Sequence, residues 1–132
     1  MTAILGVLNI TPNSFFDGGQ FLEHDQAVLQ AQTLFKAGAD VIDLGPSSSH
    51  PDAPVDSSAV EIERMAHILD ALLALKIPLS VDSFHTETQR YAITKGVAIL
   101  NDIHGFPYPA FYPELADADC KLIVMHNVHG TQ

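Results

Sequence analysis

Five short apolar runs, each ending in a polar residue and most followed by a helix-period segment, predict an α/β fold with a parallel sheet covered by helices. The runs fall near residues 3–9, 39–44, 78–82, 97–101 and 121–126. Their interiors are apolar without alternation, as in strands buried on both faces. Their C-terminal ends carry Asn9, Asp43, Asp82, Asn101 and His126. A doubly wound sheet gathers its ligand groups at one switch point, whereas each strand of a (β/α)8 barrel delivers a residue to a shared mouth. Polar residues at five consecutive strand ends therefore favour the barrel. A complete barrel typically needs about 250 residues. Residues 1–132 are thus expected to form a single barrel domain holding roughly its first five β/α units, the N-terminal part of a longer protein.

The first strand opens into a loop rich in polar residues and glycine, Thr11-Pro12-Asn13-Ser14-Phe15-Phe16-Asp17-Gly18-Gly19. A helix over 25–37 follows, with Ala27, Val28, Ala31, Leu34 and Phe35 on one face and Gly38 as its stop. The second strand leads into Pro46-Ser47-Ser48-Ser49-His50-Pro51. Ser58-x-x-Glu61 reads as a capping box. It opens a helix whose buried stripe is Ile62, Met65, Leu69, Leu72 and Leu73, ending near Lys76 before Pro78. Thr86-x-x-Gln89 opens a third helix with Tyr91, Ala92 and Ile93 inward and Gly96 closing it. A short helix over 110–116 is crowded by Pro107, Pro109 and Pro113.

Acidic residues outnumber Lys plus Arg by 16 to 6, and a net charge of −10 without a basic run argues against nucleic acid as a partner. One cysteine, Cys120, excludes an intrachain disulfide and fits a reducing compartment. No run approaches the roughly 20 apolar residues of a membrane span. Residues 1–10 lack a basic leader and break at Asn9. A cytoplasmic protein is expected, with neither membrane nor nucleic acid as partner.

Several strand-end residues are candidates for chemistry. Asp82 follows Leu79-Ser80-Val81, and a carboxylate there can accept two adjacent N–H donors from a heterocycle edge. Its alternative roles are capping the next helix or pairing with Arg64 or Arg90. Asn101 both donates and accepts, which suits a ring with mixed polar groups; its alternative is turn chemistry through the backbone. Asp102 points to the opposite side. Asn9 offers a hard oxygen for a cation such as Mg2+, or caps the Thr11-Pro12 turn. Ser47, Ser48, Ser49 and His50 form a hydroxyl-rich loop suited to phosphate, or a plain turn. His126 is either at the mouth or packed. No two histidines have zinc-helix spacing.

Taken together these motifs resemble the dihydropteroate synthases of the pterin-binding enzyme family over essentially the whole chain. The stretch Gly6-Val7-Leu8-Asn9-Ile10-Thr11-Pro12-Asn13-Ser14-Phe15-Phe16-Asp17-Gly18-Gly19 is similar to the family's opening signature. Asp43-Leu44-Gly45-Pro46-Ser47-Ser48-Ser49-His50-Pro51, Ser80-Val81-Asp82-Ser83, Asn101-Asp102-Ile103 and Met125-His126 follow in the family's order. The resemblance implies condensation of 6-hydroxymethyl-7,8-dihydropterin diphosphate with p-aminobenzoate, giving 7,8-dihydropteroate and diphosphate in folate biosynthesis. It implies that Asp82 and Asn101 bind the pterin, Ile103 packs on its face, and Asn9 helps hold Mg2+. Ser49 stands at the family's phosphate-contacting Thr, and Phe15 and Pro51 belong to the loops around p-aminobenzoate.

His50 replaces the family's loop-two Arg. It offers one donor where Arg offers a fork, and it titrates near neutrality. The family's catalytic-region Lys and Arg-x-His groups would lie beyond Gln132, so no catalytic residue is assigned within the chain. The expected partners are two small-molecule substrates and, in the full-length protein, a second copy of the chain. Two other readings of the same features are a pterin-binding methyltransferase of this fold and a non-catalytic pterin-binding paralogue.

Overall fold

A computed structural model describes residues 3–10, 15–16, 20–21, 24–47 and 55–124. Its frame is a five-stranded parallel sheet: β1 (Leu5–Asn9), β4 (Val41–Gly45), β5 (Leu79–Asp82), β6 (Ile99–Asp102) and β7 (Lys121–Val124). The strands lie side by side in chain order, every neighbouring pair parallel. A doubly wound sheet reverses its strand order partway, and this one does not. Sequential order is the arrangement of a (β/α)8 barrel wall. Each predicted strand is present, shifted at its ends by one to a few residues.

The helices α1 (His24–Lys36), α2 (Ser58–Ala74) and α3 (Thr86–Lys95) form between the strands as the 3.6 period predicts. A 3-10 turn (Pro109–Phe111) runs into α4 (Tyr112–Asp117), so the prolines shorten the expected helix without preventing it. Gly38 and Gly96 take φ of 121° and 85°, a left-handed conformation that stops each helix where expected. No helix among the described residues is long and apolar enough to cross a membrane.

Register decides what the two faces of the sheet carry. Gly6, Leu8, Ile42, Leu44, Leu79, Val81 and Leu100 share one face and are buried under the helices. Against them pack Ala27 and Ala31 of α1, Met65, Ile68, Leu69 and Leu72 of α2, and Ala92 of α3. The approach of α1 is close: a Cβ on Gly6 would meet Leu34 Cβ at 3.3 Å and Ala39 Cβ at 3.1 Å. Ala27 and Ala31 are fully buried in the α1 contact, with Val28 and Leu34 packed beside them, and Phe35, expected inward, is 38% exposed.

Two local expectations are corrected. Ser58-x-x-Glu61 is not a capping box. The N-cap is Ser57, whose Oγ accepts from Val60 N at 3.2 Å, and Glu61 turns into the interior instead. The loop after β1 contains a small antiparallel ladder, β2 (Phe15–Phe16) with β3 (Gln20–Phe21).

Leu69→Ala in the intact protein should lower unfolding stability by about 2–5 kcal/mol, because α2 loses its central contact with the sheet. Urea titration reads this, and a loss below about 1 kcal/mol would mean that this residue does not anchor the helix.

Candidate functional site

The face of the sheet opposite the helices is not apolar. Register places Asn9 beside Gly45, Asp43 beside Ser80, and Asp82 beside Asn101. Alternation along the strands then puts Asn9, Asp43, Ser80, Asp82 and Asn101 on one surface. Asp43 and Ser80 are buried, Asp82 and Asn101 are half-buried, and Asn9 is exposed at the end of β1.

Several of these polar atoms lack a partner among the described residues. Asp43 Oδ1, Ser80 Oγ and Asn101 Oδ1 are buried and reach none at full hydrogen-bond geometry, although Ser80 and Asn101 lie near enough to Asp43 to favour its charged form. Natural interiors satisfy nearly all such atoms, so three together mark a place completed by something else. Asp82 forms no ion pair among the described residues. Both arginines considered as partners are engaged elsewhere: Arg64 with Asp56 at 2.7 Å, Arg90 with Glu114 at 2.7 Å and with Glu87. Nor does Asp82 cap α3, whose N-cap is His85.

Asp82 is thus an unneutralised carboxyl in an acidic neighbourhood. Burial, then the charges of Asp43, Glu61 and Asp102, push its pKa up to about 6. Burial likewise raises Asp43, while the nearby Ser80 hydroxyl and Asn101 amide draw it partly back. Both carboxyls favour a donor-rich or cationic ligand, which would relieve that repulsion.

The helix-facing side at the same strand ends is fully bonded. Asp102 is buried and accepts from His104 N at 2.7 Å, Phe106 N at 3.1 Å and Gln89 Nε2 at 3.0 Å. These bonds hold a turn in which Gly105 and Phe106 have φ of 73° and 55°. The turn role considered for Asn101 therefore belongs to Asp102, and Asn101 stays in the strand with its oxygen unpaired. Gln89 Nε2 donates to Ser83 O at 2.8 Å and to Asp102. Glu61 accepts from Ser83 Oγ at 2.6 Å and Thr88 Oγ1 at 2.7 Å, and also from Ser47 Oγ.

Among the predicted site residues, the structure therefore brings Asn9, Asp82 and Asn101 to one surface at the strand ends. Ile103 follows directly and is 43% exposed. Phe15 lies on β2. Ser49, His50, Pro51 and His126 lie outside the described residues. Asn9 Oδ1 stands over Gly45, where a Cβ would approach it to 2.9 Å, and makes no hydrogen bond among the described residues. This is a neutral, hard oxygen of the kind that Mg2+ accepts as a single protein ligand alongside phosphate and water. Sequence reasoning missed Asp43, Ser80 and Glu61 as site groups. Asp43 and Ser80 were legible from strand alternation, whereas Glu61 was not.

A second concavity, of about 370 Å3, lies between the start of α3 and the 3-10 turn, lined by Phe84, His85, Arg90, Tyr108 and Phe111. Arg90 is already paired with Glu114 and Glu87, and His85 Nε2 donates to Asp56 O at 2.7 Å. No unpaired buried polar side-chain atom belongs to its lining residues.

A family model described as pterin binding enzyme matches residues 5–132. The type-2 dihydropteroate synthase of Escherichia coli is 57% identical over 129 residues, covering 98% of this chain and 48% of the relative. Among solved structures, the dihydropteroate synthase of Anaplasma phagocytophilum with bound 6-hydroxymethylpterin-monophosphate superposes with a TM-score of 0.83 at 35% identity. That match covers 95% of this chain and 49% of the other. The Xanthomonas albilineans dihydropteroate synthase with 4-aminobenzoic acid gives a TM-score of 0.85 at 31% identity, covering 98% and 48%. The chain spans about half the length of the curated relatives it matches.

A carboxyl whose folded pKa is raised binds its proton more tightly in the native state. Folding stability therefore falls as pH rises from 3.8 through about 6 and Asp82 ionises. Asp82→Asn removes that loss. The variant should be more stable than wild type at neutral pH, with the gap closing as the medium is acidified. Urea midpoints across that range check the sign, and a less stable Asn variant at neutral pH contradicts it.

Proposed function

This chain belongs to the pterin-binding enzyme family, and from that membership we propose that the intact protein is a dihydropteroate synthase. It joins 6-hydroxymethyl-7,8-dihydropterin diphosphate to p-aminobenzoate and releases diphosphate. The observation that carries this reading is the row itself: Asp82 with no ion pair among the described residues, beside Asn101 with a buried, unpaired oxygen. A pterin edge presents an amino group next to a ring N–H. Asp82 can accept both in parallel, a charge-assisted pair that also relieves its repulsion with Asp43. Asn101 Oδ1 takes a further ring donor. Ile103, half-exposed just beyond, offers an apolar surface to the ring face.

Asn9 Oδ1 is the group that would hold Mg2+, with the remaining ligands from diphosphate oxygens and water. An ion held there would supply charge stabilisation for the departing diphosphate. Ser47 begins the hydroxyl-rich loop assigned to the phosphates, and Phe15 and Pro51 belong with p-aminobenzoate. The curated and structural relatives support the substrates by likeness, one holding a pterin monophosphate and another 4-aminobenzoic acid. This reading places further strands and cationic groups outside these 132 residues. It also carries the expectations of a homodimer and a cytoplasmic location.

In the intact protein, dihydropteroate formation should require both substrates and Mg2+. A protein that binds pterin tightly yet forms no product would instead be a non-catalytic relative. Asp82→Ala should weaken binding of 6-hydroxymethylpterin by about 1–3 kcal/mol, since a matched pair of donors loses its acceptor. Calorimetry measures this, and unchanged affinity removes Asp82 from the site. Asn9→Ala should reduce the Mg2+ dependence of diphosphate binding while leaving the thermal midpoint in place. An unaltered Mg2+ response assigns the ion elsewhere.

A further inference from the structure

Glu61 sits in the first turns of α2 and is wholly buried. A buried carboxylate ordinarily needs a cation, because leaving water is costly. Its partners are instead three hydroxyls from three segments. Oε1 accepts from Ser83 at 2.6 Å and from Thr88 at 2.7 Å, and Oε2 accepts from Ser47. Arg64, one turn along the helix, is turned to Asp56 and to Pro46 O.

These hydroxyls are at informative places. Ser83 directly follows Asp82. Its N–H donates to Asn101 O at 3.0 Å, and its Oγ accepts from His85 N at 3.1 Å. Ser47 opens the Ser47–His50 loop. One carboxylate therefore holds both the end of β5, between the two pterin groups, and the start of the loop assigned to phosphate.

We propose that Glu61 is a positioning residue for ligand binding, fixing the pterin-binding strand end against the phosphate loop through the Ser83 and Ser47 hydroxyls. The proposal rests on the pterin and phosphate assignments above. A buried ion held only by hydroxyls stabilises little compared with an apolar residue of the same shape; its effect is to select one arrangement of the groups it binds. Its charge also adds to the repulsion that, after burial and the charge of Asp43 on β4, raises the Asp82 carboxyl, with a further contribution from Asp102 on β6.

The test uses Glu61→Gln and Ser47→Ala in the intact protein. Gln is nearly isosteric, and its oxygen can still serve Ser83 and Thr88. With Mg2+ present, both variants should bind 6-hydroxymethylpterin diphosphate about tenfold more weakly. Binding of unphosphorylated 6-hydroxymethylpterin should change less than about twofold, because the ring contacts are left in place. In Glu61→Gln alone, removal of a like charge should move the Asp82 titration, followed by carboxyl 13C shifts without ligand, downward from about 6. Equal weakening of both ligands in step with a fall in thermal midpoint would reduce Glu61 to a structural role and overturn the proposal. Unchanged affinities, or an unmoved Asp82 titration, would also overturn it. Should wild type bind neither pterin, the assigned function fails, and the ligand-free titration still decides whether Glu61 acts on Asp82.

Discussion

Strand alternation, held in register across parallel neighbours, is the constraint from which the rest of this structure follows. Asp82 and Asn101 are adjacent because β5 and β6 pair there. Asp102, one residue on, is sent to the other face. The polar groups at the strand ends thus divide by parity. One set, Asn9, Asp43, Ser80, Asp82 and Asn101, faces away from the helices with unmet hydrogen-bonding capacity. The other, Ser83 and Asp102, faces the helices and is bonded to Glu61 and Gln89. The second set holds the first in place, and the first remains available to a ligand.

The arrangement has an electrostatic cost. Asp43, Glu61, Asp82 and Asp102 lie close enough for Asp82 to feel the other three, in a chain with a net charge of −10. Stability alone would favour fewer acids here, since like charges in a poorly hydrated region repel strongly. Active sites keep such arrangements because the ligand or a cation resolves the conflict on binding. On the proposed function, an N–H donor pair at Asp82 and a hard cation at Asn9 would answer that conflict at opposite ends of the row. The cavity beside α3 offers no comparable reward, for its arginine is already neutralised by Glu87 and Glu114.

The fold was largely legible in the sequence, because a parallel barrel wall has a strong signature: apolar runs, amphipathic segments and polar strand ends in alternation. Strand order confirms the choice of a barrel over a doubly wound sheet. What failed was local. The spacing Ser58-x-x-Glu61 matches a capping box, but the cap moved back to Ser57. Glu61 then falls one position past the capping site and turns inward. Phe35 was expected inward from helical spacing, yet Ala27, Val28, Ala31 and Leu34 make the α1 contact and Phe35 stays 38% exposed. The β2–β3 ladder is too short for periodicity to show, although Asp17-Gly18 is a hairpin signal. Asn9, Asp82 and Asn101 were picked out by their strand-end positions, and their roles by the family resemblance. Asp43 passed unassigned because an acid inside a strand looks like part of a motif until its oxygen is seen to be unpaired.

If the row on the open face of the sheet receives the pterin, a crystal structure of the intact protein with 6-hydroxymethylpterin will show it. The ring's amino and N–H groups should lie within about 3 Å of the Asp82 carboxylate, with Asn101 on the adjoining edge and Ile103 near the ring face. A pterin seated instead among Phe84, Arg90, Tyr108 and Phe111, with Asp82 untouched, would contradict it.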